Sequence, residues 1–92
     1  MIKIFNQNEG IKKEITVVGH AKDEKVCAAV SGLFVALAES AQKDGSLDRY
    51  NQGQDAQRVT VYRTKNAKRF LQMFYVGVEA IAREYPEEVM VF

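Results

Sequence analysis

One stretch of the chain repeats its apolar residues with the period of an α-helix, and the rest must be arranged to cover it. Ala67, Phe70, Leu71, Phe74, Val78, Ile81, Ala82 and Tyr85 fall along one side of a helix of 3.6 residues per turn, and Pro86 stops it. Asn66 is the expected N-cap. A helix striped in this way gains most of its stability from an apolar surface packed against the stripe. With 92 residues, the chain supports one core and no second one.

The rest of the chain supplies that surface. Met1 to Phe5 alternates, with Ile2 and Ile4 on one side and Lys3 on the other, as in a short strand. Asn6 to Gly10 reads as a turn, and Ile11 to Gly19, rich in β-branched residues, as the second arm of a hairpin. Asp23 is placed to cap a second helix, with Glu24 favourable in its first turn. Val26, Ala29, Val30, Leu33, Leu37 and Ala41 recur at helical spacing, Lys43 lies near the negative end, and Gly45 closes the helix. A weak strand over Leu47–Asn51, a turn over Gln52–Asp55 and a clearer strand over Gln57–Arg63 follow. Glu88 to Phe92 alternates as a last strand. The order ββαββαβ predicts a two-layer α/β sandwich, with a mixed sheet of about five strands under two amphipathic helices. So thin a core would gain from pairing of two subunits.

Charge and cysteine content narrow the function classes. A formal net charge of +1 leaves no basic footprint, so a nucleic-acid partner is not expected. Lys65, Lys68 and Arg69 read as a solvated helix start, and Phe34, Phe70, Phe74 and Tyr75 as core or dimer contact. The longest apolar run, near Val30 to Ala38, is far shorter than a membrane span, and the opening residues do not read as a signal peptide. One cysteine cannot form an internal disulfide, which points to a reducing cytoplasm. One histidine and one cysteine cannot supply the three protein ligands usual in catalytic zinc, and no glycine-rich phosphate loop is present, so no metal or cofactor is expected.

That histidine and that cysteine lie seven positions apart, His20 at a strand end and Cys27 in the first turn of a helix. Backbone N–H groups in a first turn lack intrahelical partners and favour negative charge, and the thiolate is the reactive form of cysteine. The pair suits nucleophilic catalysis, with the imidazole as base and then acid. Ser31 lies one turn after Cys27 and is a candidate supporting group, as is Asp23. A backbone carbonyl, Ser31 or Asp23 are the candidates to orient His20. Read by residue type alone, the same cysteine among alanines is an inert half-core residue, and the Ser31 hydroxyl bonds back to the preceding turn.

Gly19-His20-Ala21 followed by Cys27-Ala28-Ala29-Val30-Ser31 resembles the ribosomal-processing cysteine protease (Prp) family. Its members carry a Gly-His-Ala element, a loop, and a Cys-Ala-small-Val-Ser helix start. The short first strand, the second amphipathic helix and the Glu84-Tyr85-Pro86 ending are also similar to the family. The resemblance implies one cysteine protease domain over residues 1–92, working as a homodimer in the bacterial cytoplasm. It implies an endopeptidase that removes an N-terminal extension, ending in an aromatic-aromatic-alanine sequence, from a large-subunit ribosomal protein of the L-twenty-seven family. Phage-borne relatives are thought to process capsid proteins. By position, Cys27 matches the nucleophile, His20 the general base and Ser31 the serine one turn on. Many members have a longer, glycine-rich loop between the two. Here six residues intervene, none of them glycine, and the acidic residue three positions before the cysteine is Glu24, with Asp23 one earlier.

Two other classes fit the same composition. A non-catalytic module docking on a ribosomal protein or RNA would draw on Lys65, Lys68 and Arg69. A regulatory protein with a decayed protease site would keep the fold and lose the reactivity of Cys27.

Overall fold

The computed structural model describes residues 1–92. Strands β1 (Ile2–Glu9) and β2 (Lys12–Val18) form a hairpin, followed by helix α1 (Glu24–Asp44). A second hairpin, β3 (Leu47–Gln52) and β4 (Ala56–Tyr62), leads into helix α2 (Lys65–Glu84) and strand β5 (Val89–Val91). The sheet order is β3-β4-β2-β1-β5. The hairpin partners and the β2–β4 pair are antiparallel, whereas β5 lies parallel to β1, so the sheet is mixed as expected.

The first hairpin is longer than the alternation of Met1–Phe5 implies. Asn6, Gln7, Asn8 and Glu9 are paired with Ile15, Glu14, Lys13 and Lys12, and only Gly10 and Ile11 turn the chain. Their side chains are exposed, so no alternating pattern marks them; the backbone ladder of β2 extends the strand. Gly10, at φ 62°, supplies the left-handed residue that a two-residue hairpin turn requires.

Alternate residues of the sheet, Ile2, Ile4, Ile15, Val17, Val59, Val61 and Val89, are buried in one cluster with the inner faces of both helices. Helix α1 is capped as its sequence predicts. The Asp23 carboxylate accepts from the Lys25 N–H at 2.9 Å, and Gly45, at φ 78°, ends the helix in the left-handed region. Its buried arc runs through Val26, Val30, Phe34, Leu37, Ala38 and Ala41. Ala29, expected inside, is exposed: it sits about 100° around the axis from Val30, beyond the edge of that arc. Phe34 is fully buried between Tyr50 (centroids 5.8 Å apart) and Phe74 (6.4 Å).

Helix α2 buries Ala67, Leu71, Phe74 and Val78. Its N-cap is Thr64, not Asn66: the Thr64 hydroxyl accepts from the Ala67 N–H at 3.0 Å. The Asn66 amide instead donates to Asp44 at 3.0 Å, and the Thr64 hydroxyl donates to the same carboxylate at 2.8 Å. The end of α1 and the start of α2 are thereby tied together. Gly77 lets the two helices approach, since a Cβ there would lie 2.8 Å from a Leu33 methyl. Tyr75 stacks edge-on to Phe74 at 5.8 Å, with the Lys13 ammonium 5.4 Å from its ring centroid. Its hydroxyl is buried without a hydrogen-bond partner, and burial pushes its pKa well above that of an ordinary tyrosine. No helix is long and apolar enough to cross a membrane.

Candidate active site

The turn from β2 into α1 carries the candidate residues, and three backbone constraints set its path. Gly19 takes φ 91°, a conformation that side chains disfavour, because the Met1 backbone passes directly over it. Its N–H donates to the Asp55 carbonyl at 3.1 Å, fixing the strand end to the β3–β4 turn. Four residues later the Asp23 N–H donates to the Glu88 carboxylate at 2.8 Å, which joins the helix cap to the approach to β5.

Between these anchors the chain folds back onto the thiol. The Ala21 N–H donates to Cys27 Sγ at 3.2 Å, and the thiol faces the Ala21 carbonyl at 3.6 Å. Cys27 is half-buried in the first turn of α1, as its position after Asp23 predicts. Its own N–H donates to the Asp23 carbonyl at 3.3 Å.

His20, Cys27 and Ser31 line one cleft of about 90 Å³, together with Gly19, Asp55 and Ala56. The cleft is open to solvent and has room for several waters or a small side chain. Ile2, Val17 and Val30 form its apolar floor. His20 is exposed at the rim, and its Nε2 lies 3.7 Å from the Asp55 carboxylate. Asp23, a candidate supporting group, is engaged as the helix cap. Lys68 lies elsewhere, in a shallow groove with Lys13, Arg63 and Tyr75.

Two residues at the site had no signal in the sequence. Asp55 reads as one polar residue of a turn, and Glu88 as the first residue of a strand; both reach the site only through the tertiary fold. No His/Cys/Asp/Glu cluster able to hold a metal ion is present.

Comparison with known proteins agrees with this architecture. A family model described as cysteine protease Prp matches residues 1–90. Among solved structures, the ribosomal processing protease Prp of S. aureus with a covalently linked product peptide superposes with TM-score 0.81 at 24% identity, covering 99% of this chain and 97% of that one. The same protease with a substrate peptide gives TM-score 0.79 at 20% identity, over 99% and 95%. A protein of Streptococcus mutans gives 0.73 at 22% identity, over 99% and 91%. At these identities the structures establish a shared fold. No curated protein matches the sequence.

Proposed function

We propose, for a chain that belongs to the cysteine protease Prp family, that Cys27 and His20 carry out peptide-bond cleavage. The observation that carries the assignment is their meeting in one cleft from opposite sides of a single turn, with an N–H donor already on the sulfur.

Cys27 attacks the scissile carbonyl as a thiolate, its proton passing to His20. The carbonyl oxygen becomes an oxyanion, and the Ala21 N–H, beside the sulfur, is the donor placed to receive it. His20 then protonates the leaving amine, and the C–N bond breaks to leave a thioester. Water, losing a proton to His20, attacks the thioester carbonyl and releases the acid product and the thiol. Ser31 lines the cleft one helical turn beyond the nucleophile and serves as a supporting group.

The substrate is read as the N-terminal extension of a ribosomal protein, the L-twenty-seven family being the specific case. Support comes from the family and from the S. aureus relative, a ribosomal processing protease solved with a substrate peptide. The cleft beside Cys27 has room for the alanine of an aromatic-aromatic-alanine sequence. The same reading takes residues 1–92 as one protease domain that works as a homodimer in the bacterial cytoplasm.

Incubation of a peptide spanning such an extension, followed by mass spectrometry, tests the assignment. Wild type is expected to cut once after the aromatic-aromatic-alanine sequence, and Cys27→Ala and His20→Ala are expected to leave the peptide whole. Cutting by a folded Cys27→Ala protein would overturn the assignment of the nucleophile.

A further inference from the structure

We propose that Asp55 is the positioning residue for His20, its carboxylate holding the imidazole so that Nδ1 is left free to face Cys27. This rests on the reading of His20 as the general base. The chain ties Asp55 to the catalytic turn twice: its carbonyl accepts from the Gly19 N–H at 3.1 Å, and its carboxylate lies 3.7 Å from His20 Nε2. The first contact is backbone to backbone and joins the β3–β4 turn to the strand end that carries His20. The second places an acceptor at one ring nitrogen and not the other. A neutral imidazole donates from one nitrogen and accepts at the other, and a carboxylate kept beside one nitrogen favours the tautomer that donates there.

The neighbouring carboxylates are otherwise occupied. Asp23 accepts from the Lys25 N–H, and Glu88 accepts from the Asp23 N–H. Asp55 alone places a carboxylate in the cleft beside His20 and Cys27. In the free protein both side chains are largely exposed, at 68% and 91%, so water competes for the contact. A peptide lying in the cleft displaces that water and strengthens it.

His20 is the only histidine, so its ring nitrogens can be followed by NMR without assignment ambiguity. The ¹⁵N signals of the neutral ring, recorded well above the usual histidine titration range, report the tautomer directly. Wild type is expected to show Nε2–H in excess over free histidine, and Asp55→Ala to return to the free-histidine ratio, with Asp55→Glu restoring the excess. In peptide cleavage, Asp55→Ala should lower kcat by about two- to fivefold with KM kept, the range for an exposed ion pair. An unchanged tautomer in Asp55→Ala would overturn the proposal, as would a rise in KM alone, which would make Asp55 a substrate contact. If no peptide is cut, the protease reading fails while the tautomer measurement still judges Asp55.

Discussion

The α-carbon of Gly19 lies directly beneath the carbonyl of Met1, so close that a methyl group on it would overlap the oxygen. The obstacle is backbone, which no rotamer change can move aside. Together with φ 91°, it makes Gly19 the one residue type this turn accepts. Gly19→Ala is expected to lose about 1–3 kcal/mol of stability from the backbone conformation alone, and more from the displaced first strand. Thermal unfolding measures it. Because His20 follows directly, cleavage should fall even at temperatures where the variant stays folded.

Asp23 caps α1 and is held in turn by Glu88. Asp23→Ala should cost about 0.5–2 kcal/mol, as loss of an N-cap usually does. Glu88→Ala should cost less in denaturant unfolding yet slow alkylation of Cys27, because it frees the turn that carries the thiol. Equal alkylation rates in wild type and Glu88→Ala would separate the cap from the site.

Where Leu33 meets Gly77, the helices are as near as their side chains permit. Gly77→Val should push them apart and destabilise by about 1–3 kcal/mol, the usual range for overpacking. Leu33→Ala in the same chain is expected to recover part of that loss, since it opens the space the valine needs. A double-mutant cycle in urea gives the coupling directly.

Tyr75 carries a buried hydroxyl with nothing to bond. Tyr75→Phe keeps the ring against Phe74 and removes the unsatisfied group, so it should stabilise by about 1 kcal/mol or more, with about 3 as the ceiling. A fall in melting temperature would mean that the hydroxyl is satisfied in solution.

The pair of bonds from Asn66 and Thr64 holds the Asp44 carboxyl below the usual carboxylate range, Asn66 contributing most. A group depressed by folding stabilises the protein above its unfolded pKa and loses that contribution as pH falls through the folded value. The dependence therefore lies below about pH 4. Asp44→Asn should flatten the acid limb there by lowering stability at neutral pH, where the ionised carboxylate contributes, while stability in acid changes little.

Local signals were the legible ones. Asp23 and Gly45 mark the ends of α1 because capping needs only a few neighbouring residues. The Phe74 stripe and the alternation of Val59 and Val61 show which faces are buried. Cys27 and His20 stood out because each is the only residue of its type, and the fold brings them to one cleft. What the sequence leaves open depends on distant partners. Asn66 is the better cap by type, but its amide is taken up by Asp44, some twenty positions earlier, and Thr64 caps instead. Asn6 to Glu9 become strand only because β2 lies beside them. Asp55 and Glu88 reach the site from hairpin and strand, with no spacing rule to announce either.

The parallel pairing of β5 with β1 bears on when the protein becomes competent during its synthesis. Ile2 pairs with Val89, and the first residues emerge from the ribosome long before the last ones exist. The first hairpin, α1 and even the thiol can form early, but Glu88, which holds the Asp23 N–H, is made 65 residues after it. Until Glu88 is made, a nascent chain therefore carries Cys27 on an unanchored helix start. The turn that holds Cys27 is complete only once translation has passed Glu88 and β5.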